Sequence, residues 1–60
     1  MAGVLKFIAW AVTQVWRYGF KKVRAVIAWA RANWQTVAKW FEAGASLVWV
    51  IKEILRLLGF

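Results

Sequence analysis

Side chains able to do chemistry are scarce in this chain, and the few present sit at helical spacing. Its only carboxylates are Glu42 and Glu53, and each has a cation three residues away: Lys39 before the first, Arg56 after the second. On a helix that spacing makes neighbours, so both pairs read as exposed ion pairs, which are ordinary and weak. General acid–base work needs a positioned group with a perturbed pKa beside other polar groups. The chain has no His, no Cys and no Asp. Its single serine, Ser46, stands where a helix cap belongs, just ahead of the apolar run that begins at Leu47. Metal ligands are lacking, and no glycine-rich phosphate loop is present. The expectation is therefore a protein that is not an enzyme and takes neither cofactor nor metal.

What remains is charge and aromatic surface. Nine Lys and Arg against two acids give a net charge of +7 at pH 7, which implies an anionic partner, either nucleic acid or lipid. The cations are densest in RYGFKKVR, where Arg17, Lys21, Lys22 and Arg24 lie around one glycine. A solvated corner that keeps an apolar protein in solution would have the same composition. Docking is favoured because a Lys or Arg near an anionic bilayer gains about 1 kcal/mol. Lys6, Arg31, Lys39, Lys52 and Arg56 spread the remaining charge along the chain.

Six tryptophans accompany these cations. By helical period, Trp10 falls on the strip of Lys6, Thr13 and Arg17, and Trp49 on that of Lys52, Glu53 and Arg56. Both are expected to face water between cations, either as interfacial anchors or lying over Lys and Arg stems. Trp40 and Trp34 are expected in the core, with Trp16 and Trp29 at its borders.

The elements that must position these residues follow from size and pattern. At 60 residues the chain is one domain, whose core supplies about 3–5 kcal/mol, and without cysteine it has no disulfide to help. The 18% aromatic content compensates, since each buried ring removes about 150–250 Å² from water. Proline is absent, and glycine is the residue that most often follows a helix end. Gly19, Gly44 and Gly59 therefore read as stops, with Asn33 and Ser46 as N-caps. The result is an all-α, compact four-helix bundle with helices over about 3–18, 20–32, 34–43 and 46–58.

Apolar residues recur at i, i+3, i+4 and i+7 in each segment. The inward stripes are expected to be Val4, Leu5, Ile8, Val12 and Val15; then Phe20, Val23, Ile27 and Ala30; then Val37, Trp40 and Phe41. On the last helix they are Leu47, Val50, Ile51, Ile54, Leu57 and Leu58.

A spanning helix needs about 18 or more apolar residues, and the longest uncharged runs, Phe7 to Trp16 and Ala43 to Ile51, are too short. A cleaved signal peptide is not expected either. Lys6 makes a poor basic start, and the apolar stretch before Ala9 is short. Contact with a bilayer would thus begin at the interface: cations dock, tryptophans wedge in, and the weakly held bundle opens. Disruption by crowding and thinning fits this better than an ordered barrel. A small basic nucleic-acid-binding module is the rival reading. It would concentrate its charge and polar readers on one helix. Here the charge is spread, and Gln14, Asn33 and Gln35 are the only amide readers.

The opening MAGVLKFI, the internal YGFKKV and the closing KWFEAGASLVWVIKEILRLLG resemble the leaderless bacteriocins of the lacticin Q, aureocin and epidermicin group. The likeness is most specific from Trp40 onward: Phe41, Ala43-Gly44, Trp49-Val50, Ile54 and Leu58-Gly59. The chain departs from that group in having Asn33-Trp34-Gln35 where a Lys-Gly pair is usual, and in being richer in arginine and tryptophan. The chain is expected to be monomeric in solution, and the resemblance implies a saposin-like bundle secreted without a cleaved leader. It further implies killing of bacteria by permeabilising their anionic lipid membrane, with neither a protein receptor nor nucleic acid as partner.

Overall fold

A backbone without proline keeps every amide donor and meets no ring clash, so its helices end where glycine or a polar side chain ends them. The computed structural model describes residues 2–60. They form five helices: α1 (Ala2–Val12), α2 (Val15–Tyr18), α3 (Phe20–Ala32), α4 (Trp34–Glu42) and α5 (Leu47–Leu58). The all-α bundle without disulfides is as expected, and α3, α4 and α5 lie within a residue of their expected bounds.

The first expected helix is instead broken at Thr13–Gln14. The Thr13 hydroxyl donates to the Trp10 carbonyl at 2.6 Å. The Thr13 and Gln14 amides close on the carbonyls of Trp10 and Ala11, each at 2.9 Å. These i→i−3 bonds tighten the end of α1 into a 3₁₀ turn, and a threonine bonding back to the preceding turn competes with the regular ladder. Helix resumes when the Gln14 carbonyl accepts from Arg17 and Tyr18 at 3.0 and 3.1 Å.

The other joints are equally local. Gly44, at φ 96, closes α4 with paired bonds: Ala45 N to Trp40 O and Gly44 N to Phe41 O, both 3.0 Å. This is a Schellman ending, whose left-handed residue glycine adopts without strain. Ser46 caps α5 as expected, its hydroxyl accepting from Trp49 N at 3.1 Å. Asn33 does not cap α4. Its side-chain amide donates backward to the Trp29 carbonyl at 3.0 Å and so serves the end of α3. The α4 amides of Thr36 and Val37 bond to the Asn33 backbone carbonyl instead.

α3 packs against every other helix, presenting Val23, Val26 and Ala30. Around it are buried Val4, Phe7 and Ala11 of α1, Val37 of α4, and Val50, Ile51, Ile54 and Leu55 of α5. This core corrects three of the expected stripes. On α1 the buried row is Val4–Phe7–Ala11, while Leu5 and Val12 are 60% and 56% exposed. The Phe7 ring decides the rotation. It meets Phe41 at 5.9 Å and Trp10 at 6.0 Å, and an aromatic ring removes more surface from water than a leucine does. On α3, Val26 is buried and Phe20 exposed; on α5, Leu55 is buried while Leu57 and Leu58 stay exposed.

Among the described residues no polar or charged side chain is buried, and no helix is long and apolar enough to cross a membrane. The backbone trace measures 27 × 21 × 18 Å.

Candidate membrane-docking surface

A cation cannot be buried cheaply without a partner, and with two acids in the chain few partners exist. All nine cations are accordingly exposed. Lys6 stands on α1, Arg17 on α2, Lys39 on α4, and Lys52 and Arg56 on α5. Lys21, Lys22, Arg24 and Arg31 stand on α3. By helical period, Lys21, Arg24, Ala28 and Arg31 form one solvent-facing row of that helix.

Arg56 is the one cation engaged by a carboxylate among the described residues; it forks onto both oxygens of Glu53. The hydrogen bonds from Arg56 hold the Glu53 carboxyl below its ordinary range. The expected partner pair, Lys39 and Glu42, forms no ion pair. Lys22 lies 5.9 Å from the centre of the Phe60 ring. Among the described residues there is also no cluster of three His, Cys, Asp or Glu that could hold a metal.

The tryptophans sort differently from expectation. Trp10 is half-buried against Phe7 and the core, because α1 is rotated toward it. Trp49 is 46% exposed but packs against Trp40 in a T-shaped pair. Trp29 and Trp40 pack on the core as a stacked pair. Trp34, expected inside, is exposed at 39%.

Trp16 is the surface residue that sequence reasoning missed. Expected at a border, it is 96% exposed. Helical period could not have found it, because the break at Thr13–Gln14 puts Trp16 on α2, out of register with the buried face of α1.

Trp16 has company. Phe20 is 66% exposed, and Leu5 and Val12, seven residues apart, face water from one side of α1. Two shallow apolar grooves run along the junction of α1 and α3. One, of about 170 Å³, is lined by Val12, Val15, Phe20, Val23, Arg24 and Ile27. The other, of about 160 Å³, is lined by Val4, Leu5, Ile8, Arg31 and Trp34. Each groove thus has a single arginine in its wall. A larger groove, about 450 Å³, lies between Trp40 and Trp49 and is lined otherwise by Ala43, Gly44, Ala45 and Ser46. It has no cation in its wall.

Such an arrangement can attract phosphate-bearing surfaces and hold apolar chains beside the charge. Compared with protein families, curated proteins and solved structures, the chain finds no match.

Proposed function

We propose that this chain is a cationic antibacterial peptide of the leaderless-bacteriocin kind, which docks on anionic bacterial membranes and permeabilises them. It acts from outside the target cell, without catalysis, cofactor or protein receptor. One observation carries the reading: large apolar side chains, Trp16 and Phe20 above all, are left in water among exposed cations.

A protein that only needed solubility would gain by burying or omitting those rings. Leaving them out is useful when a headgroup boundary is the partner, since indole settles there and apolar surface gains about 25 cal/mol for each Å² taken from water. Arg17, Lys21, Lys22 and Arg24 together would contribute about 4 kcal/mol at an anionic surface, over a Debye length of about 8 Å at physiological salt. A polyphosphate would use the cations but offer little to Leu5, Val12 or Phe20, so lipid is favoured over nucleic acid.

Permeabilisation follows from marginal stability. A core worth about 3–5 kcal/mol is comparable to the docking energy, so its apolar stripes can exchange one another for lipid. Among the described residues no helix is long enough to span alone: α3, with 13 residues, runs about 20 Å. Lesions therefore form by crowding and thinning.

The test is dye release from phosphatidylglycerol and from phosphatidylcholine vesicles, with tryptophan emission followed in parallel. Faster release and a blue shift with the anionic lipid are expected, both weakened by salt. Equal behaviour on the two lipids would refute electrostatic docking, and no release from either would refute permeabilisation.

A further inference from the structure

The two grooves along α1 and α3 share a plan that the whole-molecule charge does not require. Each is apolar, and each has one arginine in its wall, Arg24 in the first and Arg31 in the second. The two arginines are seven residues apart on α3, which places them on one face of the helix about 10 Å apart along its axis. Their apolar counterparts on α1, Val12 and Leu5, are also seven residues apart. The two grooves thus repeat one pairing: an aliphatic wall from α1, an arginine from α3, and an exposed aromatic ring beside it, Phe20 of α3 in one groove and Trp34 of α4 in the other.

From this repetition we infer that the α1–α3 face is a phospholipid seat. Arg24 and Arg31 each take the phosphodiester of an anionic phospholipid, and each groove receives the upper part of an acyl chain. The assignment rests on the membrane-docking reading above and refines it from a diffuse charge to one face. Arginine suits the role because its planar fork can give two parallel hydrogen bonds to phosphate. Charge complementarity selects the occupant. The face has Lys21, Arg24 and Arg31 exposed in one row, and no acid lines either groove. A second copy of this chain would bring the same cations against themselves. The α5 side is less suited, since Arg56 is already engaged by Glu53 and the groove beside Trp49 has no cation in its wall.

Two charge-matched variants test the assignment on the full chain. Arg24→Gln with Arg31→Gln removes two cations from the grooves. Lys39→Gln with Lys52→Gln removes two cations that line neither. All four side chains are exposed, so both variants keep the fold. The groove variant should bind phosphatidylglycerol vesicles about tenfold or more weakly, and the control should lose markedly less. Equal losses would mean that net charge alone acts and would overturn the seat while leaving membrane docking intact. Absence of binding and release by the unmodified chain would instead overturn docking itself.

A second measurement bypasses vesicles. Short-chain phosphatidylglycerol, kept below its micelle concentration, is titrated into the labelled protein and the methyl resonances are followed. Saturable shifts confined to Val12, Val15, Val23 and Ile27 and to Leu5 and Ile8 support the seat. Equal shifts with short-chain phosphatidylcholine, which has the same phosphodiester but no net charge, would overturn the selection of anionic lipid, and equal shifts with glycerol phosphate alone would overturn the pairing of arginine with a lipid chain. Concentration-dependent shifts without lipid would assign the face to self-association and overturn the inference.

Discussion

Trp29 and Trp40 stack with their rings 5.7 Å apart and 8° from parallel, joining α3 to α4 on either side of the Asn33 corner. Trp49 of α5 meets the same Trp40 ring edge-on at 5.4 Å. A row of three indoles therefore ties three helices together, with Trp40 at its centre. Aromatic pairs add about 0.5–1.5 kcal/mol each beyond the area they bury, a large share of what so small a core supplies.

Trp40→Leu should for this reason destabilise the bundle by about 2–3 kcal/mol, lowering the urea midpoint and flattening the near-UV circular dichroism. Trp34→Leu, at an exposed position, should leave both nearly unchanged. A Trp40 variant as stable as the parent would show that the indole row holds nothing together.

The rotation of α1 gives a second, opposed pair of outcomes. Phe7 is fully buried, and truncating such a ring costs about 3–5 kcal/mol, enough to unfold this domain at room temperature. Leu5→Ala, on the exposed side of the same helix, should stay within about 0.5 kcal/mol of the parent. Thermal melts followed in the far-UV would decide, and the reverse ranking would place Leu5 inside.

Acid should weaken α5 through Glu53. An unfolded glutamate titrates near about 4.3, and in the folded chain hydrogen bonds from Arg56 hold Glu53 lower. A depressed folded pKa means a contribution that is present above the unfolded value and lost as pH falls through the folded one. The pair is exposed, so the effect is small. Urea titrations from neutral pH down to pH 2 should show the parent more stable than Glu53→Gln at neutral pH, the gap closing in acid. A gap independent of pH would remove the ion pair from the account.

Local signals in the sequence carried most of the architecture. Gly44 and Ser46 announce their joint because a left-handed stop and a hydroxyl cap are chemistry that one or two residues settle. Asn33 announces a joint but not its use, since the same amide can serve the helix before it or the one after. The buried face of α1 was harder to read. Leu5, Ile8 and Val12 form as good a stripe as Val4, Phe7 and Ala11, and only the partner rings Phe41 and Trp10 choose between them. Because that choice was hidden, Trp10 was expected in water and Trp16 at a border, whereas the structure half-buries the first and exposes the second. The cations were legible throughout, because no carboxylate inside the fold could have claimed them. The pairing of Arg24 and Arg31 with grooves was not, since it depends on how α1 lies along α3.

The interruption at Thr13–Gln14 sets the outline of the molecule. An unbroken rod over residues 2–18 would extend about 26 Å, close to the 27 Å of the longest dimension. Such a rod would carry its final turn, residues 15–18, straight on from α1. The kink folds that turn onto the start of α3, so the barest indole sits at a corner where two short rods meet, the part of a compact solid that reaches a flat surface first.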